Sequence, residues 1–303
     1  MKIDTDPTVT AVVVSYNPDH DRLRSLLDSI LPQVARVVIA DNGSGPETVE
    51  FLRGLQRVLD FDLIEFGENR GIAAAHNAGI RHAAALQHAY ILLLDHDSVL
   101  APDCVPQLLK AHRSLTDAGV QLAAVGPRYL DETSGATAPF LRYTRWNFSK
   151  HYPTDAVDVI EVSVLISSGS LISAQVLEQV GLMDEALFID CVDWDWCFRA
   201  ASLGYRLFGV AAASMRHSLG DSGIRILKRK IPLHSPMRHY YAYRNNVLLC
   251  KRDTVPLSWK LHGFVRLGVR FAIYMMLSPH RLQRCRYIFR GVVDGLRNRS
   301  GRI

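Results

Sequence analysis

The feature that most constrains this chain is a repeated switch of hydrophobic period near its start. Residues 10–15, TAVVVS, form a continuous apolar, β-branched run that stops at Tyr16-Asn17-Pro18. Runs of this kind make strands buried on both faces of a parallel sheet. Residues 21–30 then carry Leu23, Leu26, Leu27 and Ile30 at helical spacing, and Pro32 closes the segment. The pattern recurs as a strand over 36–40, a helix over 48–59, a strand over 61–66, an alanine-rich helix over 71–86 and a strand over 90–94. Strand and helix in alternation predict an α/β fold, a mostly parallel sheet with helices on both faces. Ligands of such sheets sit beyond the carboxyl ends of the strands. Three of those ends are polar: Ser15-Tyr16-Asn17, Asp41-Asn42 and Asp95-His96-Asp97. They are expected to line one crevice.

The second half is more mixed. A strand is expected over 121–126, an irregular aromatic-rich stretch over 127–153, extended chain over 157–166, and a turn at Ser167-Ser168-Gly169-Ser170. Short helices over 175–180 and 193–203 and a strand over 205–213 follow. Apolar residues make up 48% of the chain and charged residues 21%, an ordinary globular balance. Five scattered cysteines without a CxxC argue against a disulfide framework or a zinc cluster and fit a reducing compartment. The polar first residues hold no apolar leader, and no run reaches the length of a spanning helix.

A net charge of +5 hides a division. Residues 224–303 hold 18 Lys and Arg against 2 Asp and Glu, a net +16, which leaves residues 1–223 at −11. An acidic body over 1–223 and a basic, mainly helical module over 224–303 are therefore expected, with the best boundary at Gly220-Asp221-Ser222-Gly223.

Asp95 and Asp97 stand at the end of a strand, two residues apart, where two carboxylates can share one divalent cation and join it to a diphosphate. A DxD also occurs by chance in solvated loops; its place at a strand end favours the functional reading. His217 follows the strand over 205–213 and is a candidate third ligand, although a surface or capping histidine is the commoner case. An oxygen-plus-imidazole set favours Mn²⁺, with Mg²⁺ the alternative. Asp190, Asp193 and Asp195 form an acidic cluster near a helix start. One carboxylate can take the proton of an attacking sugar hydroxyl, and one base is enough for an inverting transfer. Any single member can instead cap the helix, and Asp195 can pair with Arg199 one turn on.

Seven segments occur in register: Ser15-Tyr16-Asn17-Pro18; Asp41-Asn42; Glu68-Asn69-Arg70-Gly71-Ile72-Ala73 with Asn77-Ala78-Gly79; Leu94-Asp95-His96-Asp97-Ser98; Ile166-Ser167-Ser168-Gly169; Phe188-Ile189-Asp190-Cys191-Val192-Asp193; and Arg238-His239-Tyr240-Tyr241 with Arg244-Asn245. In this the chain resembles glycosyltransferase family 2 and, within it, the bacterial rhamnosyltransferases, from Val12 to about Leu249. The resemblance implies a GT-A type fold and inverting, metal-dependent transfer of L-rhamnose from dTDP-L-rhamnose to a saccharide or lipid-linked acceptor. It implies that Ser15, Tyr16, Asn17 and Asp41 hold the nucleoside, that Asn69 and Arg70 lie over the nucleotide, and that Asp95 and Asp97 serve ribose and metal. His217 would approach the metal and diphosphate, and Asp193 would be the base. Many members have Glu-Asp where this chain has Val192-Asp193, so Asp190 stays in competition as base. His96, between the two aspartates, is a candidate donor contact.

Residues 257–277 place Leu261, Phe264, Phe271, Ala272 and Met275 at helical spacing, interrupted by Lys260, Arg266 and Arg270. A basic amphipathic helix suits an anionic membrane surface, which would make the protein cytoplasmic and peripheral at the inner face of the bacterial membrane. The alternative is a helix packed on the body with a solvated basic face. No nucleic-acid motif accompanies the charge. Two rivals remain open: a family member using another nucleotide sugar, such as a UDP-hexose, and a non-catalytic, membrane-docked scaffold of the same fold. The sequence does not reach the oligomeric state.

Overall fold

The computed structural model describes residues 9–132, 135–154, 159–217, 223–226 and 229–303. The first half follows the expected alternation: β1 (Val9–Ser15), α1 (His20–Ile30), β2 (Arg36–Asp41), α2 (Pro46–Gln56), β3 (Asp62–Glu65), α3 (Ile72–Ala85) and β4 (Tyr90–Asp95). After it come β5 (Ser98–Leu100), α4 (Cys104–Asp117), β6 (Leu122–Asp131), β7 (Ala136–Thr137), β8 (Phe140–Tyr143), β9 (Phe148–His151), β10 (Val159–Val162), β11 (Leu171–Ser173) and α5 (Ala174–Val180). A 3₁₀ turn (Glu185–Leu187) leads to α6 (Val192–Ser202), β12 (Arg206–His217) and the hairpin β13 (Gly223–Ile226) and β14 (Arg229–Pro232). Three helices end the chain: α7 (Pro236–Cys250), α8 (Leu257–Leu277) and α9 (Arg281–Leu296).

The main sheet has the order β10-β12-β6-β11-β4-β1-β2-β3. Pairing is parallel from β4 through β1 and β2 to β3, and again between β6 and β12. The short β11 runs antiparallel between β4 and β6. Alternate residues of each strand enter opposite cores, as the period of two requires. Val9, Ala11 and Val13 of β1 with Leu92 and Leu94 of β4 meet Leu23, Leu26 and Leu27 of α1, Leu52 of α2 and Leu108 of α4. Val12, Ile91 and Leu93 point the other way, onto Ala73 and Ile80 of α3 and Trp196 and Phe198 of α6. Helices thus cover both faces. The small side chains of α3 let it lie close to β1: a Cβ on Gly79 would stand 2.2 Å from Val12 Cγ1.

Two stretches differ from expectation for local reasons, and a third is as expected. The segment over 127–153 is not irregular throughout. β6 continues to Asp131, and Phe140, Tyr143 and Phe148 pin a small β8–β9 hairpin, with Tyr143 stacked on Phe148 at 4.7 Å. β12 extends four residues beyond the expected end, because it pairs with β5 as well as β6, so His217 ends the strand itself. The Arg238–Asn245 segment is helical, opened by Pro236 and by Ser235 Oγ accepting from Arg238 N. Gly220, Asp221 and Ser222 of the expected boundary lie outside the described residues.

Candidate active site

The strand register assembles the crevice. Ser15 stands opposite Asp41 in the β1–β2 pair, and Val14 opposite Asp95 in the β1–β4 pair, so all three polar ends reach the same edge. Asp41 is buried and fully engaged: Ser15 Oγ donates to Oδ1 at 2.8 Å and Ser44 N to Oδ2 at 2.9 Å. Asn17 closes the same loop, its N–H donating to Ser44 Oγ and its Oδ1 accepting from Gly45 N, both at 2.8 Å. Tyr16 is left exposed at the mouth. Asn42 joins this loop to the next one. Its Oδ1 accepts from Arg70 N at 2.9 Å, and its Nδ2 donates to Asn69 Oδ1 at 3.2 Å. Arg70 lies over the Phe66 ring, near Glu68.

Asp95 is the last residue of β4, and His96 and Asp97 make the tight turn into β5. Because β5 pairs with β12, Ser98 lies opposite His217. Ser98 Oγ is 2.9 Å from His217 Nδ1 and 2.6 Å from Ser168 Oγ, which in turn accepts from Asp95 N at 3.2 Å. The sequence marks neither serine as a site residue; together they tie the end of β4 at Asp95 to His217. One ligand atom from each of Asp95, Asp97 and His217 lies within 4.8 Å of the others. Asp97 Oδ1 is buried without a hydrogen-bond partner among the described residues, although His217 Nδ1 is 3.3 Å away. Burial pulls the His217 pKa down, but Asp97 and Asp95 outweigh it and the net shift is upward. Burial would raise Asp97, and its histidine neighbours, His217 first, bring it below the ordinary carboxylate value. Two carboxylates and an imidazole, one oxygen of them unsatisfied, are a donor set that suits a small divalent cation.

The three acids of the second cluster have separate fates. Asp195 is wholly buried and bonded to Arg199 Nε at 2.8 Å, as its spacing predicts, and also to Arg252. Asp190 pairs with Arg238 of α7 at 3.1 Å. Asp193 has no basic partner among the described residues. It shares a recess with Leu93, Ala124, Leu165 and Trp196, and Asp193 Oδ1 accepts from the neighbouring Trp194 N at 2.9 Å. Burial pushes its pKa up to about 7; the Trp194 N–H opposes this, and the negative charge of Asp95 and Asp190 adds to it. Neither Asp190 nor Asp193 caps α6, whose N-cap is Cys191.

The loop carrying these acids is strained. Phe188, Asp190 and Cys191 all have φ between 64° and 67°, a region that side chains rarely adopt. Residues whose roles the sequence did not reveal hold it there. Asn245 Nδ2 lies within hydrogen-bond distance of the carbonyls of Leu187, Ile189 and Asp190, at 2.8, 2.7 and 2.9 Å. Arg244, also buried, donates to Leu187 O at 3.0 Å. Gly71, at φ 91°, lets the start of α3 approach so closely that a Cβ would stand 2.6 Å from Phe188 O. The Gly71→Ala variant is therefore expected to disorder the loop and lower both turnover and melting temperature. Calorimetry with an activity assay checks this, and an unchanged variant would show the approach to be dispensable.

Residues 10–181 match the family model described as Glycosyl transferase family 2. The chain belongs to this glycosyltransferase family. It is 30% identical over 294 residues to the dTDP-rhamnosyl transferase RfbF of Shigella flexneri, covering 97% of each chain. It is 28% identical over 217 residues to the uncharacterized glycosyltransferase YwdF of Bacillus subtilis, covering 71% of this chain and 75% of the other. Among solved structures, the glycosyltransferase matches the mannosyltransferase PcManGT from Pyrobaculum calidifontis, in complex with GDP-Man and Mn²⁺, with a TM-score of 0.57 at 17% identity, covering 98% of this chain and 90% of that one. It also matches GalNAc-T7 with UDP, GalNAc and Mn²⁺, at a TM-score of 0.60 and 14% identity, covering 96% of this chain and 56% of the other. These likenesses establish the GT-A fold of the enzyme.

Proposed function

We propose that this glycosyltransferase moves L-rhamnose from dTDP-L-rhamnose to a saccharide or glycolipid acceptor with inversion at the anomeric carbon. The donor assignment is supported by the nearly full-length likeness to RfbF. The observation that carries the chemistry is the unpaired Asp193, held within electrostatic range of Asp95. Asp193 accepts the proton of the acceptor hydroxyl as that oxygen bonds to the sugar's C1 and the bond from C1 to the diphosphate oxygen breaks, releasing dTDP. Asp95, Asp97 and His217 would hold Mn²⁺ or Mg²⁺, which supplies charge neutralisation at the departing diphosphate. The loops of Ser15, Tyr16, Asn17 and Asp41 and of Asn69 and Arg70 hold the nucleotide, with His96 at the sugar. Asp190, neutralised by Arg238, positions the loop and is the weaker candidate for base.

Because a base must be ionised, kcat/KM is expected to fall as pH drops through about 7, the value to which burial raises Asp193. A profile flat from pH 6 to pH 8 (roughly one unit either side) would contradict this role. Thermal-shift titration tests the donor: dTDP-L-rhamnose, dTDP-glucose, UDP-glucose and UDP-N-acetylglucosamine, each with Mn²⁺, Mg²⁺ or EDTA. Selective, cation-dependent stabilisation by dTDP-L-rhamnose is the expected result. A UDP-sugar preference overturns the donor, and silence toward all four favours a scaffold. Asp97→Ala is expected to abolish the cation dependence; wild-type-like stabilisation would remove Asp97 from the metal site.

The membrane reading of the C-terminal region, taken as a module over 224–303, draws support from α8. Leu257, Leu261, Phe264, Val265, Val269 and Met276 form one solvent-facing apolar line, with Phe264 80% and Met276 74% exposed. Among the described residues no helix is long and apolar enough to cross a membrane. A peripheral placement at the inner face follows as part of the proposal.

A further inference from the structure

The opposite line of α8 runs through Trp259, Gly263, Arg266, Arg270 and Tyr274, of which Trp259, Gly263 and Tyr274 are buried. From sequence, Arg266 and Arg270 are expected among the charges of a solvated or membrane-facing surface. In the structure they stand on the side turned to the body. The Arg266 guanidinium lies over the Trp194 ring, 5.3 Å from its centroid, and Trp194 adjoins Asp193. Arg266 Nε is buried and has no hydrogen-bond partner among the described residues. Burial, and then Arg270, disfavour its charge, while only Cys191 and Tyr143 favour it. Arg270 follows one turn on, within electrostatic reach of His234 and His239. Neither arginine has an acidic partner among the described residues, although nearby Arg238 has Asp190 and Arg252 has Asp184 and Asp195. Both arginines are half-buried, and cations withdrawn from water are normally paired. Here two of them stand on one helix face, beside the loop that carries the base, where an acceptor must lie.

We propose that Arg266 and Arg270 form an acceptor-side anion subsite that takes a phosphate or diphosphate group of the acceptor. This rests on the reading of Asp193 as the residue the acceptor hydroxyl approaches. Two guanidinium groups four residues apart match the charge of a phosphate better than that of a single carboxylate, and their planar donors suit its oxygens. The Trp194 ring, below Arg266, holds the guanidinium in place.

The test is calorimetric titration of the full chain with inorganic pyrophosphate in EDTA, which keeps cations out of the aspartate–histidine site. In parallel, phosphatidylcholine vesicles with and without phosphatidylglycerol separate a free phosphate from a lipid headgroup. Wild type and Asp97→Ala are expected to bind pyrophosphate alike, and the Arg266→Gln/Arg270→Gln double variant about tenfold more weakly or not at all. Vesicle binding is expected to be the same in all three. The double variant should keep the wild-type melting temperature or exceed it, because it removes the Arg266 charge that partial burial disfavours. The inference is overturned by absent pyrophosphate binding in wild type, by equal binding in the double variant, or by a loss confined to anionic vesicles. Donor stabilisation by dTDP-L-rhamnose with Mn²⁺, retained in the double variant, separates failure here from failure of the donor assignment, which shows already in wild type.

Discussion

Replacing Asp193 with Asn is expected to lower kcat by about 10²–10⁴-fold, the usual worth of a positioned proton acceptor, while donor binding persists. The same change should raise the melting temperature at pH 8. A carboxyl with its pKa raised to about 7 is more easily ionised in the unfolded chain than in the folded one. Its ionisation therefore takes stability away as pH climbs from the unfolded value toward 7, and the full penalty remains above that. The ceiling is about 4 kcal/mol, reduced by whatever water or cation reaches the recess. The isosteric amide removes this cost. Loss of turnover with a gain in stability marks a functional carboxylate; loss of both would make Asp193 structural.

Asp195, two positions along the same helix, should respond in the opposite way. It is wholly buried between Arg199 and Arg252, and Arg199 also ties α6 to the carbonyls of Val180 and Leu182. Removing one member of a buried ion-pair set leaves charge uncompensated and costs about 3–5 kcal/mol. Asp195→Ala is expected to lower stability by that amount in denaturant titration, with kcat falling only as far as folded protein is lost. A stable Asp195→Ala enzyme would show that Arg252, through Asp184, is already sufficiently neutralised.

Why one acid is left without a basic partner and its neighbour is tied into the fold is only half legible in the sequence. The Asp195–Arg199 spacing gave that pair directly, because it is local. Arg252 and Arg238 reach Asp195 and Asp190 from 57 and 48 residues away, and no local pattern encodes such a contact. The alternating strands and helices up to Asp95 were readable because each element carries its own period. β11 and β5, three residues each, are too short to show one, and their strand character comes from neighbours. His217 could be suspected at a strand end; its seat beside Asp97 depends on β12 pairing with β5, a tertiary event. The body-facing placement of Arg266 on α8 is hidden for the same reason. Charge marks a helix face as polar, but not whether solvent or the body of the protein lies in front of it.

Water can replace the acceptor in an experiment that reads the donor, the inversion and the base together. The measurement is proton NMR of the enzyme with dTDP-β-L-rhamnose and Mn²⁺, following the slow release of free rhamnose before its anomers equilibrate. The α anomer is expected to form first, at a rate suppressed in Asp193→Asn and in EDTA. First release of the β anomer, or an undiminished rate in Asp193→Asn, would contradict inverting transfer through Asp193.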